Sequence, residues 1–271
     1  MKQNEQENNL PTSTINRRSF VRGVGFTGLG LAGAALVGSQ FGAKEQTVSA
    51  ASGVSDGDIL NFALNLEFLE AEFYSVSTYG ATLEKRGIIK SNQISGPTTG
   101  GKMVTFHDLA FMAGTLRQDE QAHVELLLSA LGSGAVKKPA INLNALGFGF
   151  SGVNDWLRLA RVFEDVGVSA YLGAAPLITS KEYLAVAGAI LSTEAQHAGA
   201  IRYNCVTRGV VNTPKLDSKD VPPNSAHLFN VDGNALSIPR TTSQVLNLVY
   251  GGGKCSGGFY PDGMNGNIAC R

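Results

Sequence analysis

Apolar residues recur every three or four positions in four stretches of the chain, the spacing of one face of an α-helix. They predict helices over residues 58–79, 106–131, 153–173 and 181–208. The punctuation agrees with these bounds. Ser55 and Asp58 have the spacing of a capping box before the first helix, and Gly80 stops it. Thr105 and Asp108 mark the start of the second, and Gly132 its end. Thr179 and Glu182 are spaced as the box of the fourth, with Gly209 as its stop. Only a few residues around Pro176 join the third helix to the fourth, so those two are predicted to lie antiparallel. Residues 133–150 join the second to the third. Extended at about 3.3 Å per residue, they can run from one end of a bundle to the other. The pattern is that of an all-α bundle of four helices with one long crossover.

The rest of the chain reads differently. Residues 81–104 form a long Gly/Ser/Thr-rich connection, and residues 210–271 are rich in Gly, Pro and Asn, with helical spacing only at 242–250. The latter segment has too few periodic apolar residues for a core of its own. It is predicted to be an irregular Gly/Pro-rich C-terminal tail packed on the bundle of residues 51–209. The first fifty residues stand apart. Arg17-Arg18-Ser19-Phe20-Val21-Arg22 precedes a weakly apolar run to about Val37, and Val48-Ser49-Ala50 resembles a cleavage site. Together they read as a twin-arginine signal, placing the mature protein in the periplasm, cell envelope or extracellular space. The apolar run is too short to span a bilayer, so no membrane span is expected in the mature form.

Charge narrows the function. Formal net charge is zero and only 16% of residues are charged, so no electrostatic footprint for nucleic acid exists. Of the three cysteines, Cys255 and Cys270 flank a Gly-rich loop and are the expected disulfide, although the sequence alone allows three pairings. Cys205 is left as a buried thiol.

The chemistry lies on the helical stripes. Two Glu-x-x-His motifs occur, Glu120 with His123 in the second helix and Glu194 with His197 in the fourth. Residues three apart share a helix face. Here that face is apolar: Leu116 and Leu127 flank the first motif, Ile190 and Ile201 the second. Glu67 in the first helix and Glu164 in the third lie on similar stripes, each with a tyrosine seven residues later, Tyr74 and Tyr171. The order Glu…Tyr, then Glu-x-x-His, therefore occurs twice. Buried carboxylates need compensation, and divalent cations supply it. Glu and His ligands suit iron, manganese or zinc. Glu70, one turn on, is the rival to Glu67, which is preferred because its spacing to Tyr74 repeats that of Glu164 to Tyr171; Glu70 and Glu72 are expected to face solvent, as are His107 and His227. Tyr74 and Tyr171 are read as packing groups.

These residues resemble the di-iron ferritin-like superfamily, which includes bacterioferritin and rubrerythrin. There two helices each give a Glu and the other two each give a Glu-x-x-His. More narrowly, Asp58-Ile59-Leu60-Asn61-Phe62-Ala63-Leu64-Asn65-Leu66-Glu67, Glu70-Ala71-Glu72-Phe73-Tyr74 and Arg240-Thr241-Thr242-Ser243-Gln244-Val245-Leu246 resemble exported ferritin-like proteins related to plant desiccation-related proteins. The resemblance covers about residues 56–262. It implies two metal ions, iron foremost, with Glu120 and Glu194 bridging. Glu67 and His123 would complete one shell, Glu164 and His197 the other, and Asp119 would orient His197. It implies oxidation of metal or reaction with oxygen or peroxide. Against this stand a non-enzymatic stress or desiccation-related envelope protein and a storage cage, the latter disfavoured by the long 81–104 loop and the tail.

Overall fold

The computed structural model describes residues 53–210 and 215–271, so the twin-arginine segment and its cleavage site lie outside the described residues. The chain enters α1 (Asp56–Tyr79) through the capping box read from the sequence: the Ser55 hydroxyl accepts from the Asp58 N–H and the Asp58 carboxylate accepts from the Ser55 N–H at 2.8 Å. Gly80, left-handed at φ 75°, ends it. Next come α2 (Ala110–Leu131), α3 (Val153–Ala174), α4 (Lys181–Thr207) and, in the tail, α5 (Thr242–Val249). The helices pair as α1 with α2 and α3 with α4, and α1 meets α3 across the middle. No helix among the described residues is long and apolar enough to cross a membrane.

Two helix starts differ from the sequence reading. α2 begins at Ala110, with no side-chain cap at Leu109. The residues expected to open it are engaged elsewhere: Phe106 lays its ring edge-on against Trp156 at 5.0 Å, and Asp108 pairs with Arg208. At α4 the cap is Ser180, whose hydroxyl accepts from the Tyr183 N–H, in place of Thr179. Thr179 and Ser180 both donate their N–H groups to the Asp56 carboxylate, at 2.9 and 2.7 Å. The start of α1 thereby fixes the start of α4.

The long connections are held together. Thr98–Thr99 (β1) pairs in parallel with Ile141–Asn142 (β2) of the crossover, Thr98 opposite Ile141. Beside this pair the fully buried Lys138 ammonium donates to the Gly96 carbonyl (2.9 Å), Thr98 Oγ1 (3.0 Å) and the Pro139 carbonyl (3.1 Å), and it lies 3.8 Å from Glu72. Glu72 also accepts from the Leu83 N–H at 3.1 Å. Glu72 is therefore buried, contrary to the solvated position expected for it. A charge lost from water needs such a partner, and the partner stands far along the chain.

Residues 215–271 lie on the outer side of α1 and α3 and reach one flank of α4, where Arg202 donates to the Leu228 and Val221 carbonyls. Arg240 donates its backbone N–H to the Ser169 carbonyl at 3.0 Å and its guanidinium to Ser169 Oγ at 2.9 Å. Gly173 makes this possible, because a Cβ there would sit 1.9 Å from the Arg240 carbonyl oxygen. Asp165 is buried between Arg161 and Arg202, at 2.8 and 2.7 Å, and Arg161 also pairs with Asp220 of the tail. Tyr260 donates to the Asn65 carbonyl at 2.7 Å, and Asn65 exchanges hydrogen bonds with the Asn265 backbone. Cys255 and Cys270 are joined as a disulfide, and Cys205 is a free, buried thiol.

Candidate metal centre

Every residue of α1 from Phe62 to Ser77 is buried, so the polar groups in that span are held where water cannot solvate them. Glu67 and Glu164 are fully buried, as are Glu120 and Glu194, and His123 and His197 are 7% and 6% exposed. All six face the bundle axis at one level. The chain reaches this because i, i+3 spacing puts each Glu-x-x-His pair on one inward face.

Two groups of ligand-type atoms result, Glu67, Glu120, His123 and Glu194 in one, Glu120, Glu164, Glu194 and His197 in the other. Within each group the atoms lie within 4.8 Å of one another. Glu120 and Glu194 belong to both. In the first, His123 Nδ1 stands 3.2 Å from Glu67, 3.4 Å from Glu120 and 3.3 Å from Glu194. In the second, His197 Nδ1 stands 2.9 Å from Glu120 and 3.5 Å from Glu164.

The surroundings take up the atoms that point away from the two groups. Tyr171 of α3 donates to Glu67 Oε1 at 2.6 Å, and Tyr74 of α1 donates to Glu164 Oε1. Each tyrosine thus serves the glutamate of the opposite half. Burial, and then the partner carboxylate, raises both phenols well above their usual range, so both remain donors. His197 Nε2 lies 3.1 Å from Asp119, which leaves Nδ1 toward the centre. The equivalent of Asp119 in the other half is Thr193, whose hydroxyl donates to the Ala189 carbonyl.

The inward atoms have no such partners. Glu67 Oε2, Glu164 Oε2, both oxygens of Glu120 and of Glu194, and Nδ1 of both histidines are buried and face only one another, with no partner outside the two groups. Leaving a buried polar group unpaired costs about 1–3 kcal/mol, and more if it is charged. A pair of divalent cations fits this donor set: four carboxylates balance four positive charges, and both imidazoles offer a ring nitrogen.

Without metal, protons provide the compensation. Burial raises Glu194 and Glu70 well above the carboxylate range, reinforced by the neighbouring glutamates. Burial likewise pushes Glu120 up to about 7. At Glu67 burial acts upward, but the neighbouring His123 and the surrounding donors hold the group below its usual value. At the histidines burial disfavours charge, yet the carboxylates prevail. Glu120 and Glu164 push His197 up to about 12, and His123 is raised further.

Glu70 departs from the solvated position expected for it and is buried, 3% exposed, beside the six. It belongs to neither ligand group. A Cβ on Gly167 would meet Glu194 Oε2 at 2.6 Å and Glu70 Oε1 at 3.0 Å, so both carboxylates approach the bare Cα of Gly167. Laying the two halves of the sequence over each other would have exposed the relation, since Glu70 follows Glu67 by three residues as Gly167 follows Glu164. The small residue of one half makes room for the acid of the other. His107 and His227 are exposed, as expected.

The chain is similar to the ferritin-like catalase Nec2 of Nesocodon mauritianus, 23% identical over an alignment of 273 positions, gaps included, that covers 80% of this chain and 86% of that protein. The family model described as Ferritin-like domain matches residues 55–205, more than half of the sequence and the segments of all four helices that carry the site, and the chain therefore belongs to the ferritin-like family.

Proposed function

We propose that this protein holds two divalent metal ions between Glu67, Glu120, His123, Glu164, Glu194 and His197 and reacts with peroxide, disproportionating two molecules of hydrogen peroxide to two of water and one of dioxygen. The observation that carries the reading is the pair of buried ligand groups sharing Glu120 and Glu194, whose inward atoms face only one another. The similarity to a protein named a catalase supports peroxide as the substrate. Bound there, the ions would supply Lewis acidity and two-electron redox capacity in a water-poor cavity.

The chain's own residues set the conditions. Glu120 and Glu194 hold the two sites at a fixed separation, and each histidine caps one side. Tyr74 and Tyr171 orient Glu164 and Glu67 by donating to the oxygens that face away from the centre. Asp119 fixes the His197 ring through Nε2. Export by the twin-arginine route is part of the same reading, and the disulfide between Cys255 and Cys270 supports an oxidising compartment.

Dioxygen evolution on adding hydrogen peroxide to metal-loaded protein tests the reaction. Release of one dioxygen per two peroxides is expected, and Glu194→Ala should abolish it. Unconsumed peroxide, with fast oxidation of added ferrous iron, would replace this reading with a ferroxidase.

A further inference from the structure

On the side of α1 and α3 that the tail covers lies a cavity of about 50 Å³. Its rim is Leu146, 39% exposed, with the half-buried Leu216 and Leu248. Deeper walls are the buried Leu66, Phe163 and Phe259. Its inner end is Glu70 and Gly167. Among the residues lining it, Glu70 carries the one polar side chain. Exposure therefore falls steadily from the rim to a carboxyl group that stands over Gly167 together with the bridging Glu194.

We propose that this cavity is the passage by which a small neutral molecule, the size of hydrogen peroxide or dioxygen, reaches the metal centre, with Glu70 as the hydrogen-bonding group at its inner end. The proposal rests on the metal-centre reading above and adds the substrate class and its route. Aliphatic and aromatic walls give an ion nothing in return for its water shell, so charged species are rejected. A volume of about 50 Å³ admits water-sized molecules. Glu70 turns an otherwise apolar pocket toward hydrogen-bonding guests. Gly167 lets the Glu70 and Glu194 carboxyl groups come together at this inner end, because a side chain there would collide with both. Ions have a different approach on the opposite side of the bundle. There His123 and His197 reach the surface slightly and the Asp119 side chain is 41% exposed.

Xenon pressure on the metal-loaded protein, read by crystallography or xenon-129 NMR, tests the passage without reference to turnover. One xenon beside Phe163 is expected, and Val249→Phe, which fills the inner cavity from the tail, should remove it. Leu248→Trp closes the half-buried rim and serves if the first variant folds poorly. With metal content equal to the parent, either variant should slow peroxide consumption by about tenfold, the low end of what a gated on-rate spans. Glu70→Leu should raise KM more than it lowers kcat, and Glu70→Gln should restore KM. A parent protein that takes up no xenon here, or filled variants that consume peroxide at the parental rate, would overturn the passage. Xenon bound in the parent and lost on filling, with no peroxide reaction in either, would overturn the proposed function and leave the passage standing.

Discussion

The outer side of α1 and α3 is covered by residues 215–271 and the crossover, whereas the outer side of α2 and α4 meets solvent at Thr115, Gln118, Ala122, Ser192, Gln196 and Tyr203. Composition follows the difference. α1 buries large apolar residues all round, with Phe62, Leu64, Leu66, Phe68, Leu69 and Phe73 among them. A helix of that kind needs neighbours all round. α2 and α4 bury one face and carry the two histidines on it. The covered side is pinned by buried arginines reaching between helix and tail, and the open side has the two rings 6.1 Å apart just under its surface. One bundle thus has a covered flank and an open flank, and on the open one the Asp119 side chain, 41% exposed, lies beside His197.

The largest test removes a pin from the closed flank. Arg202 donates to Asp165 at 2.7 Å and to the carbonyls of Leu228 and Val221 at 2.6 and 2.7 Å. Arg202→Ala leaves the buried Asp165 with Arg161 alone and takes the donor from both tail carbonyls, and a loss of about 3–5 kcal/mol in denaturant unfolding is expected. A loss near zero would mean that the tail adds little to the bundle.

Metal removal comes next and acts on the interior between the flanks. At metal concentrations 100 to 1,000 times Kd, binding stabilises by about 3–4 kcal/mol, so chelation should lower Tm accordingly while the fold persists. Glu194→Gln and His197→Ala should each lower bound metal from about two ions per chain, read by elemental analysis. Full occupancy in both variants would sink the ligand assignment. Glu194→Gln should also leave the metal-free protein no less stable, since the amide replaces a carboxyl that already holds a proton there.

Acidity separates the two forms. In the metal-free protein Glu120 holds its proton up to about 7, and Glu70 and Glu194 hold theirs beyond the carboxylate range. A raised carboxyl pKa means stability that is present at acid pH and lost as pH rises through the folded value. The same sign holds for His197, whose contribution is complete below about 6.5 and is lost as pH approaches about 12. Glu67, lowered by His123, works the other way but only in the acid range. Metal-free protein should therefore melt lower as pH rises from mildly acid to alkaline. Metal-loaded protein should instead weaken toward acid, where protons compete for the ligands. Identical melting curves for the two forms at every pH would break the idea of a coupled site.

Smaller effects follow. Reducing Cys255–Cys270, which encloses 14 residues, should cost about 3 kcal/mol if chain entropy governs it, and the cost should fall on the tail, seen as faster hydrogen exchange there than in α2. Tyr171→Phe removes one donor from Glu67 and should cost about 2 kcal/mol in metal-free protein, the scale of a hydrogen bond to a charged group. A Tyr74→Phe effect of similar size on Glu164 would show that the two halves are equivalent at this level, and unequal effects would locate their difference.

Much of this was readable before the fold was known, for physical reasons. The spacing of three between Glu120 and His123, and between Glu194 and His197, survives folding because a helix keeps it. Gly80, Gly132 and Gly209 mark helix ends because each takes a positive φ there. What stayed hidden depended on partners distant in sequence. Glu72 looked solvated because Lys138 and Leu83 are invisible from its own helix. Glu70 looked solvated because its room comes from a side chain that Gly167 lacks. Thr179 has the spacing of a cap, but its hydroxyl donates to the Asp56 carboxylate and leaves that of Ser180 to do the capping.

The contacts of Asn65 carry a consequence for how the molecule comes into being. Its carbonyl accepts from Tyr260, 195 residues later, and its amide meets Asn265, 200 residues later. At synthesis rates of about 5–20 residues per second, the first helix waits on the order of 10–40 seconds for the segment that will roof it. During that interval Leu66, Leu69 and their neighbours face the crowded interior of the cell as a bare greasy stripe. Assembly is thus ordered by the ribosome: the inward faces can meet early, and the roof arrives last. A chain stalled before residue 259 would carry its helices without their cover, in a form that protein quality control can recognise.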